Sequence, residues 1–172
     1  DGTSTQISVT GTAATAGRTV IVRVEVRDTS GGSTFSAVDS QGNTYTVDVA
    51  ANDGTRTRVA IISSTLMTGL GAGDWIRVNH PANESSTVRA DVYSGISSTS
   101  RVVAAGTASG DSGGASVTVN TAVADTVVVG VVATRDSSTI TQPSSWTALE
   151  SGNVSCSKTM GRAAAIASLR LP

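Results

Sequence analysis

The chain has 172 residues, enough for one domain with a sizeable core, and only 15% of them are charged, against about 25% in an average globular domain. Its 25 serines and 25 threonines supply most of the polarity. The net charge is −1 and the basic residues are scattered, which argues against a nucleic-acid partner. No apolar run reaches the roughly 18 residues of a transmembrane helix, so we expect no membrane insertion.

Alternation of apolar and polar residues predicts strands in the first half of the chain. The clearest pattern lies in Thr19–Asp28, where four valines at every second position share one face. The glycine- and asparagine-containing segments 39–43 and 52–54 predict tight hairpin turns. Weaker patterns predict further strands at Thr5–Gly11, Phe35–Asp39, Tyr45–Val49 and Arg56–Thr65.

In the second half, Asp74–His80 is predicted as a strand that Pro81 ends, since proline lacks the backbone donor of a ladder. Asp125–Thr134 is almost continuously apolar, which predicts a central strand buried on both faces. Gly161–Leu171 is rich in alanine, but its alternation favours a strand over a helix. Other predicted strands are Thr87–Tyr93, Arg101–Ala108, Val117–Val119, Thr139–Thr141 and Trp146–Leu149.

Two parts of the chain echo each other. Thr19–Asp28 is echoed by Thr126–Asp136, and Arg56–Thr65 by Arg162–Leu171. About ten to twelve short strands with regular turns are typical of an all-β antiparallel two-sheet sandwich or barrel. Together with the echo, they predict a jelly-roll sandwich of two interlocked halves with little or no helix. We expect one domain over residues 1–172, with residues 1–12 as a peripheral or exchanged strand.

Several turn and core motifs carry a resemblance that covers nearly the whole chain. They are Val38-Asp-Ser-Gln-Gly-Asn-Thr-Tyr-Thr46, Tyr93–Ile96, Val119–Gly130, Gln142–Thr147 and Ala163–Pro172. The sequence resembles a jelly-roll module common in secreted bacterial proteins and in bacteriophage tail and capsid-surface proteins. This resemblance implies a non-catalytic surface, adhesion or display module, and it transfers no functional residue.

The residue types needed for catalysis do not form a recognisable pattern. His80 is the single histidine, no Gly-x-Ser-x-Gly motif is present, and Cys156 has only His80 to activate it. We therefore expect His80 to be a solvent-facing residue at a strand end, Cys156 to be a small buried residue, and the protein not to be an enzyme. A glycoside-acting enzyme remains a third alternative, with candidate acids Asp48, Glu84, Asp91 and Glu150.

Two turns contain oxygen ligands of the kind that calcium prefers. Asp39 and Asn43 belong to one turn, Asn52 and Asp53 to the next, and the four would form a metal site if the turns met. The competing interpretation is that Asp and Asn occur there because they form turns. We expect no cofactor, with calcium at these four residues as the alternative.

The few aromatic residues suggest where a ligand would bind. Tyr45 and Trp146 follow equivalent turns in the two halves and are predicted to plug the core beneath them. Trp75 is expected to be exposed, because Ile76 and Val78 occupy the opposite face of the strand. Trp75, Arg77 and Tyr93 are therefore the candidate ligand-binding residues.

We expect a structural or display module of an extracellular or virion surface, such as a tail, capsid-decoration or fibre component. Its partners would be copies of itself or other surface proteins, because uncharged Ser/Thr-rich edge strands invite pairing or exchange of Thr5–Gly11. The alternative is a module that binds carbohydrate or the cell envelope, with polysaccharide as the partner. The glycine-rich loops Leu66–Gly73 and Ser109–Gly114 are the expected contact loops.

Overall fold

The computed structural model describes residues 2–28, 34–54, 56–110, 116–120, 126–134 and 162–170. These residues form nine strands and no helix, so the all-β prediction is confirmed for this part of the chain. No helix among them is long and apolar enough to cross a membrane. The strands are β1 (Gly2–Ser8), β2 (Thr19–Asp28), β3 (Ser36–Asp39), β4 (Thr46–Asn52), β5 (Thr57–Thr65), β6 (Trp75–Tyr93), β7 (Val102–Gly110), β8 (Thr126–Thr134) and β9 (Arg162–Arg170).

Six of the strands form one open antiparallel sheet. Its order is β1-β6-β2-β5-β4, and β3 also pairs with β6. Asn83 of β6 pairs with Gly2 of β1 and with Asp28 of β2, which must lie on opposite sides of it. The strands β2 and β3 therefore follow one another along the same side of β6.

The strands β2 and β5 form the centre of the molecule. The valines of β2 at positions 20, 22, 24 and 26 are buried on one face, as the alternation predicted, and Ile21 is buried on the other. The strand β5 is buried from Thr57 to Ser64, because apolar side chains pack against both of its faces. Burying a side chain such as Ile61 contributes about 1.5–3 kcal/mol relative to leaving it exposed, so this pair anchors the fold.

The strand β6 is a single strand of 19 residues, and the prediction that Pro81 ends it was wrong. A straight strand of this length would extend about 60 Å, whereas the segment from Thr65 to Trp75 can span at most about 35 Å. Thr65 is only two strands away from Tyr93, since both pair with Thr19, so β6 must bend. Register shifts next to Pro81 place the bend there, where the missing donor already interrupts the ladder.

Three strands form a second antiparallel sheet of order β7-β9-β8. The strand β9 confirms the choice of strand over helix for the alanine-rich end of the chain. The prediction that Asp125–Thr134 is central and buried on both faces was wrong, because β8 lies at the end of this order and Val132 is 42% exposed. Two predicted strands, Thr139–Thr141 and Trp146–Leu149, lie outside the described residues.

The central strands separate two apolar clusters. The larger cluster gathers the even-numbered residues of β2 with Ile76, Val78 and Leu70, and Tyr45 packs against it as predicted. On the other face, Ile21 and Ile61 pack against Val129 of β8, so the second sheet lies over β2 and β5.

Candidate functional site

The predicted ligand-binding residues Trp75 and Arg77 lie together at the start of β6. They share one face of the strand, while Ile76 and Val78 are buried on the other, as the alternation predicted. Trp75 is half-buried, and the guanidinium carbon of the exposed Arg77 lies 5.3 Å from the centre of its ring. Such a cation–π contact stabilises by about 0.5–1 kcal/mol at an exposed site and holds the indole in one orientation.

The neighbouring strands extend this surface. Arg77 pairs in register with Val38 of β3, which is 38% exposed, and with Gln6 of β1. The backbone N–H of Trp75 donates to Ser40 Oγ at 3.2 Å, which fixes the strand beneath the ring. We call Gln6, Val38, Trp75 and Arg77 the Trp75 patch.

Tyr93, the third predicted ligand-binding residue, is not part of this patch. It ends β6 at the opposite end from Trp75 and packs against the cluster of Ile21 and Ile61. Burial, followed by the nearby charge of Asp91, raises the pKa of its hydroxyl, while Arg23 opposes the change. The structure therefore brings together two of the three predicted residues.

Asp39 and Asn43 fasten one turn to the neighbouring loop. Asp39 Oδ1 accepts from the backbone N–H groups of Gln41 and Asn43, both at 3.0 Å, and Oδ2 accepts from Asn43 Nδ2 at 2.8 Å and the Tyr45 hydroxyl at 3.0 Å. Burial, and secondarily Asp39, raises the pKa of Tyr45. Asn43 Oδ1 then accepts from the backbone N–H groups of residues 67 and 68 at 2.8 and 2.9 Å. Both side chains are buried, with their oxygens engaged inside the protein.

Asn52 and Asp53 form a separate turn at the other end of β4. Asn52 Oδ1 accepts from Gly54 N at 2.9 Å, and Asp53 Oδ1 accepts from the backbone N–H groups of Arg56 and Thr57 at 2.8 and 2.9 Å. A strand of seven residues separates this turn from Asn43, a distance of about 20 Å or more. The two predicted halves of a calcium site therefore do not meet, and no cluster of three His, Cys, Asp or Glu side chains occurs within the described ranges.

His80 is buried at 5% exposure, so the prediction of a solvent-facing residue was wrong. Its Nδ1 donates to the Pro81 carbonyl at 2.9 Å, which makes Nε2 of the neutral ring an acceptor for the Thr5 hydroxyl, also at 2.9 Å. The Thr5 hydroxyl in turn accepts from Ser86 at 2.6 Å. Because β6 continues past Pro81 and bends, His80 turns inward and ties β1 to both halves of β6.

Two of the candidate glycosidase acids are paired with arginines on one face of β2 and β6. Asp91 accepts from Arg23 at 2.7 Å, and Glu84 lies 2.9 Å from Arg27 and 3.0 Å from Arg56. Half-exposed pairs of this kind contribute about 0–1 kcal/mol each, so they orient side chains more than they stabilise the fold. Glu150, Cys156 and Trp146 lie outside the described residues.

Glu25 lies on the same face of β2, between Arg23 and Arg27. Its direct cross-strand neighbours, Val59 and Thr87, carry no charge. Burial raises the pKa of the Glu25 carboxyl from 4.5 to about 7. This face therefore carries a carboxyl group that is costly to ionise.

A polar groove that no sequence pattern indicated lies at the start of β4. It has a volume of about 440 Å³ and is lined by Thr46, Val47, Asp48 and residues 98–102. At its base, Arg101 Nε donates to Ser63 Oγ at 2.6 Å, a contact between residues 38 positions apart. No local pattern signals so distant a pairing, and the alternation of Val47, Asp48 and Val49 is that of a regular strand.

Comparison of the chain with protein-family models, curated proteins and solved structures gave no match. The candidate surfaces are the Trp75 patch, the groove beside Asp48 and those sheet edges that have no partner strand among the described residues.

Proposed function

We propose that the chain is a non-catalytic structural module, a jelly-roll sandwich that assembles on an extracellular or virion surface. Three observations support this proposal. They are the two packed antiparallel sheets, the hydroxyl-rich composition and the polar side chains that hydrogen-bond turns and strands to one another. Both echoed strand pairs, β2 with β5 and β8 with β9, are antiparallel neighbours, which favours the twofold jelly roll over an unrelated pair of sheets. Asp39, Asn43 and His80, whose side chains suit catalysis or metal binding, hold turns and strands together instead.

The observation that carries the proposal is a difference between the two edges of the main sheet. The edge strand β1 (Gly-Thr-Ser-Thr-Gln-Ile-Ser) has no charged residue, and within the described part of the chain it pairs only with β6. The opposite edge, β4, has a bulge between Val47 and Val49 and a carboxylate at Asp48. Bulges and charges are the devices that keep an edge strand from pairing with another chain, and β1 lacks the charge.

The partner that fits β1 is a second copy of the chain. Two β1 strands pair antiparallel about a twofold axis, which joins two sheets into one and covers the half-buried Ile7 at the margin of the larger cluster. A seven-residue strand pair buries less than the roughly 1,200 Å² of a stable interface, so we expect a weak, concentration-dependent dimer that other copies or surface proteins reinforce.

The test is light scattering after size-exclusion chromatography over a range of protein concentrations. The variant Ser4→Glu/Ser8→Glu places two carboxylates on the exposed face of β1, beside the uncharged Asn79 and Trp75. Pairing about Gln6 would bring position 4 of one copy opposite position 8 of the other, so the added charges repel. We expect wild type to gain mass with concentration and this variant to remain monomeric.

The matched control is Thr44→Glu/Ala50→Glu, which adds the same charge at exposed positions near and on β4. It should associate like wild type. A wild-type chain that stays monomeric at every concentration, or a loss of association in both variants, would contradict assembly through β1.

The Trp75 patch favours a second function, the binding of carbohydrate or the cell envelope. An indole held in place by Arg77 presents one face to a sugar ring, and the adjoining Gln6 supplies a hydrogen-bonding amide. Saturable retention on an insoluble polysaccharide, lost in Trp75→Ala, would support this function. Equal retention of wild type and variant would refute the role of the patch.

A further inference from the structure

The groove beside β4 exists because the strand contains a β-bulge. Val47 pairs with Ile62 and Val49 with Ile61, so Asp48 is an extra residue with no partner in β5. A bulge redirects the side chain of the extra residue and is frequent next to binding sites. Here it directs Asp48 into the groove formed with residues 98–102.

The base of the groove is a hydrogen-bonded network. Ser63 is fully buried and accepts from Arg101 Nε at 2.6 Å, and hydrogen bonding by its side chain lowers the pKa of Asp48 against the rise that burial causes. Arg101 makes longer contacts of 3.4 Å with Thr65 Oγ1 and the Ser63 carbonyl. Asp48 and Arg101 are thus held in place by a buried residue rather than by loose surface contacts.

One acceptor in this network is unused. Asp48 Oδ2 is buried and has no hydrogen-bond partner within the described residues. Burial raises the pKa of Asp48, while Ser63 and the charge of Arg101 oppose the change. A buried carboxylate oxygen without a partner is unfavourable, so a bound donor at this position would be stabilised by more than an ordinary surface hydrogen bond.

The walls of the groove are rich in hydroxyl groups, from Thr46, Ser98, Thr99 and Ser100. The volume of about 440 Å³ falls in the range of small-ligand sites, roughly 300–1,000 Å³. We propose that this groove binds one residue of a saccharide, with a sugar hydroxyl donating to the Asp48 carboxylate. The proposal concerns the second function above, at a site distinct from the Trp75 patch, and it does not depend on assembly through β1.

The charges favour a neutral ligand. Arg101 already supplies a positive charge next to Asp48, so an ammonium group would meet repulsion as well as attraction. A sugar hydroxyl donates to Asp48 without adding charge, and its oxygen accepts from the serine and threonine hydroxyls around it. The residues that line the groove are therefore suited to bind a polyhydroxylated ring.

The experiment titrates the ¹⁵N-labelled chain with the methyl glycosides of glucose, galactose, mannose and N-acetylglucosamine at millimolar concentrations. We expect saturable amide shifts at residues 46–48 and 98–102 with at least one of these probes. Asp48→Asn replaces the free acceptor by an amide group and should weaken binding at least about tenfold, the effect of losing one hydrogen bond to a charged acceptor. Because this variant removes a partly desolvated charge, we expect it to fold.

The matched control is Asp53→Asn at the other end of β4, which makes the same change of charge and keeps the Oδ1 acceptor of its turn. It should bind like wild type. The proposal is overturned if none of the probes gives saturable shifts at the groove, or if Asp48→Asn binds as tightly as wild type. The wild-type shifts need no variant, so a folding defect in Asp48→Asn would not prevent a decision.

Discussion

The replacement Asp39→Asn tests whether Asp39 stabilises the turn before β4 by hydrogen bonds or binds calcium there. The amide has the size of the carboxylate, so no cavity forms, but only one of its two polar atoms accepts hydrogen bonds. Asp39 now accepts four, from Gln41 N, Asn43 N, Asn43 Nδ2 and the Tyr45 hydroxyl. Two of these four donors must lose their acceptor whichever way the new amide turns.

The magnitude follows from the constraints on those donors. If the oxygen stays with the backbone N–H groups, the new NH₂ group faces Asn43 Nδ2, and Asn43 cannot rotate because its own oxygen holds Met67 N and Thr68 N. The Tyr45 hydroxyl can turn to accept instead. One charge-assisted bond is lost and one buried donor is left unpaired, which destabilises the fold by about 2–4 kcal/mol.

The assay is urea unfolding, once with calcium and once with a chelator. A loss of about 2–4 kcal/mol, equal in both buffers, is the expected result. The control Asp53→Asn keeps the Oδ1 acceptor of its turn and should lose less than about 1 kcal/mol. If calcium raises the unfolding midpoint of wild type but not that of Asp39→Asn, the purely structural role of Asp39 is refuted and the calcium site is supported.

Two further predictions concern packing and pH. In Gly69→Ala the new Cβ would lie 2.8 Å from the Ala14 carbonyl oxygen and 3.3 Å from Ala16 N. We expect a loss of about 1–3 kcal/mol in urea unfolding, while Gly71→Ala, whose Cβ has 3.9 Å to its nearest neighbour, should change little; equal effects would contradict the packing at Leu70. The pKa of Glu25 is about 7 in the folded chain and 4.5 in the unfolded chain. Wild type should therefore lose up to about 3 kcal/mol of stability as the pH rises from 4.5 through 7. Glu25→Gln should be more stable at pH 8 and lack this loss; an unchanged pH profile would show that Glu25 is well solvated.

The local alternation of apolar and polar residues predicted most of the strands. It failed where contacts between distant residues determine the course of the chain. The valines of β2 needed no knowledge of their partners, and alternation also identified β9 despite its alanine content. Pro81 misled because a proline is tolerated inside a strand at a bulge, and the register of β6 shifts next to Pro81. The same bend buries His80, which no local pattern indicates.

The candidate sites divide in the same way. Trp75 and Arg77 were found because residues two apart share a strand face. Asp48 was named only as a candidate acid, and its groove with Arg101 was missed because the bulge and the contact with Ser63 arise only when β4, β5 and the loop before β7 come together. The four turn residues proposed for calcium were sound as turn formers, but a strand length separates the two turns.

Amide hydrogen exchange on the wild-type chain at low and high protein concentration tests the central claim, assembly through β1, most directly. Backbone N–H groups of β1 that face away from β6 should exchange more slowly at high concentration, because a second β1 strand covers them, while the amides of β4 should not change. Exchange in β1 that is independent of concentration, or slowing at β4 instead, would contradict the account.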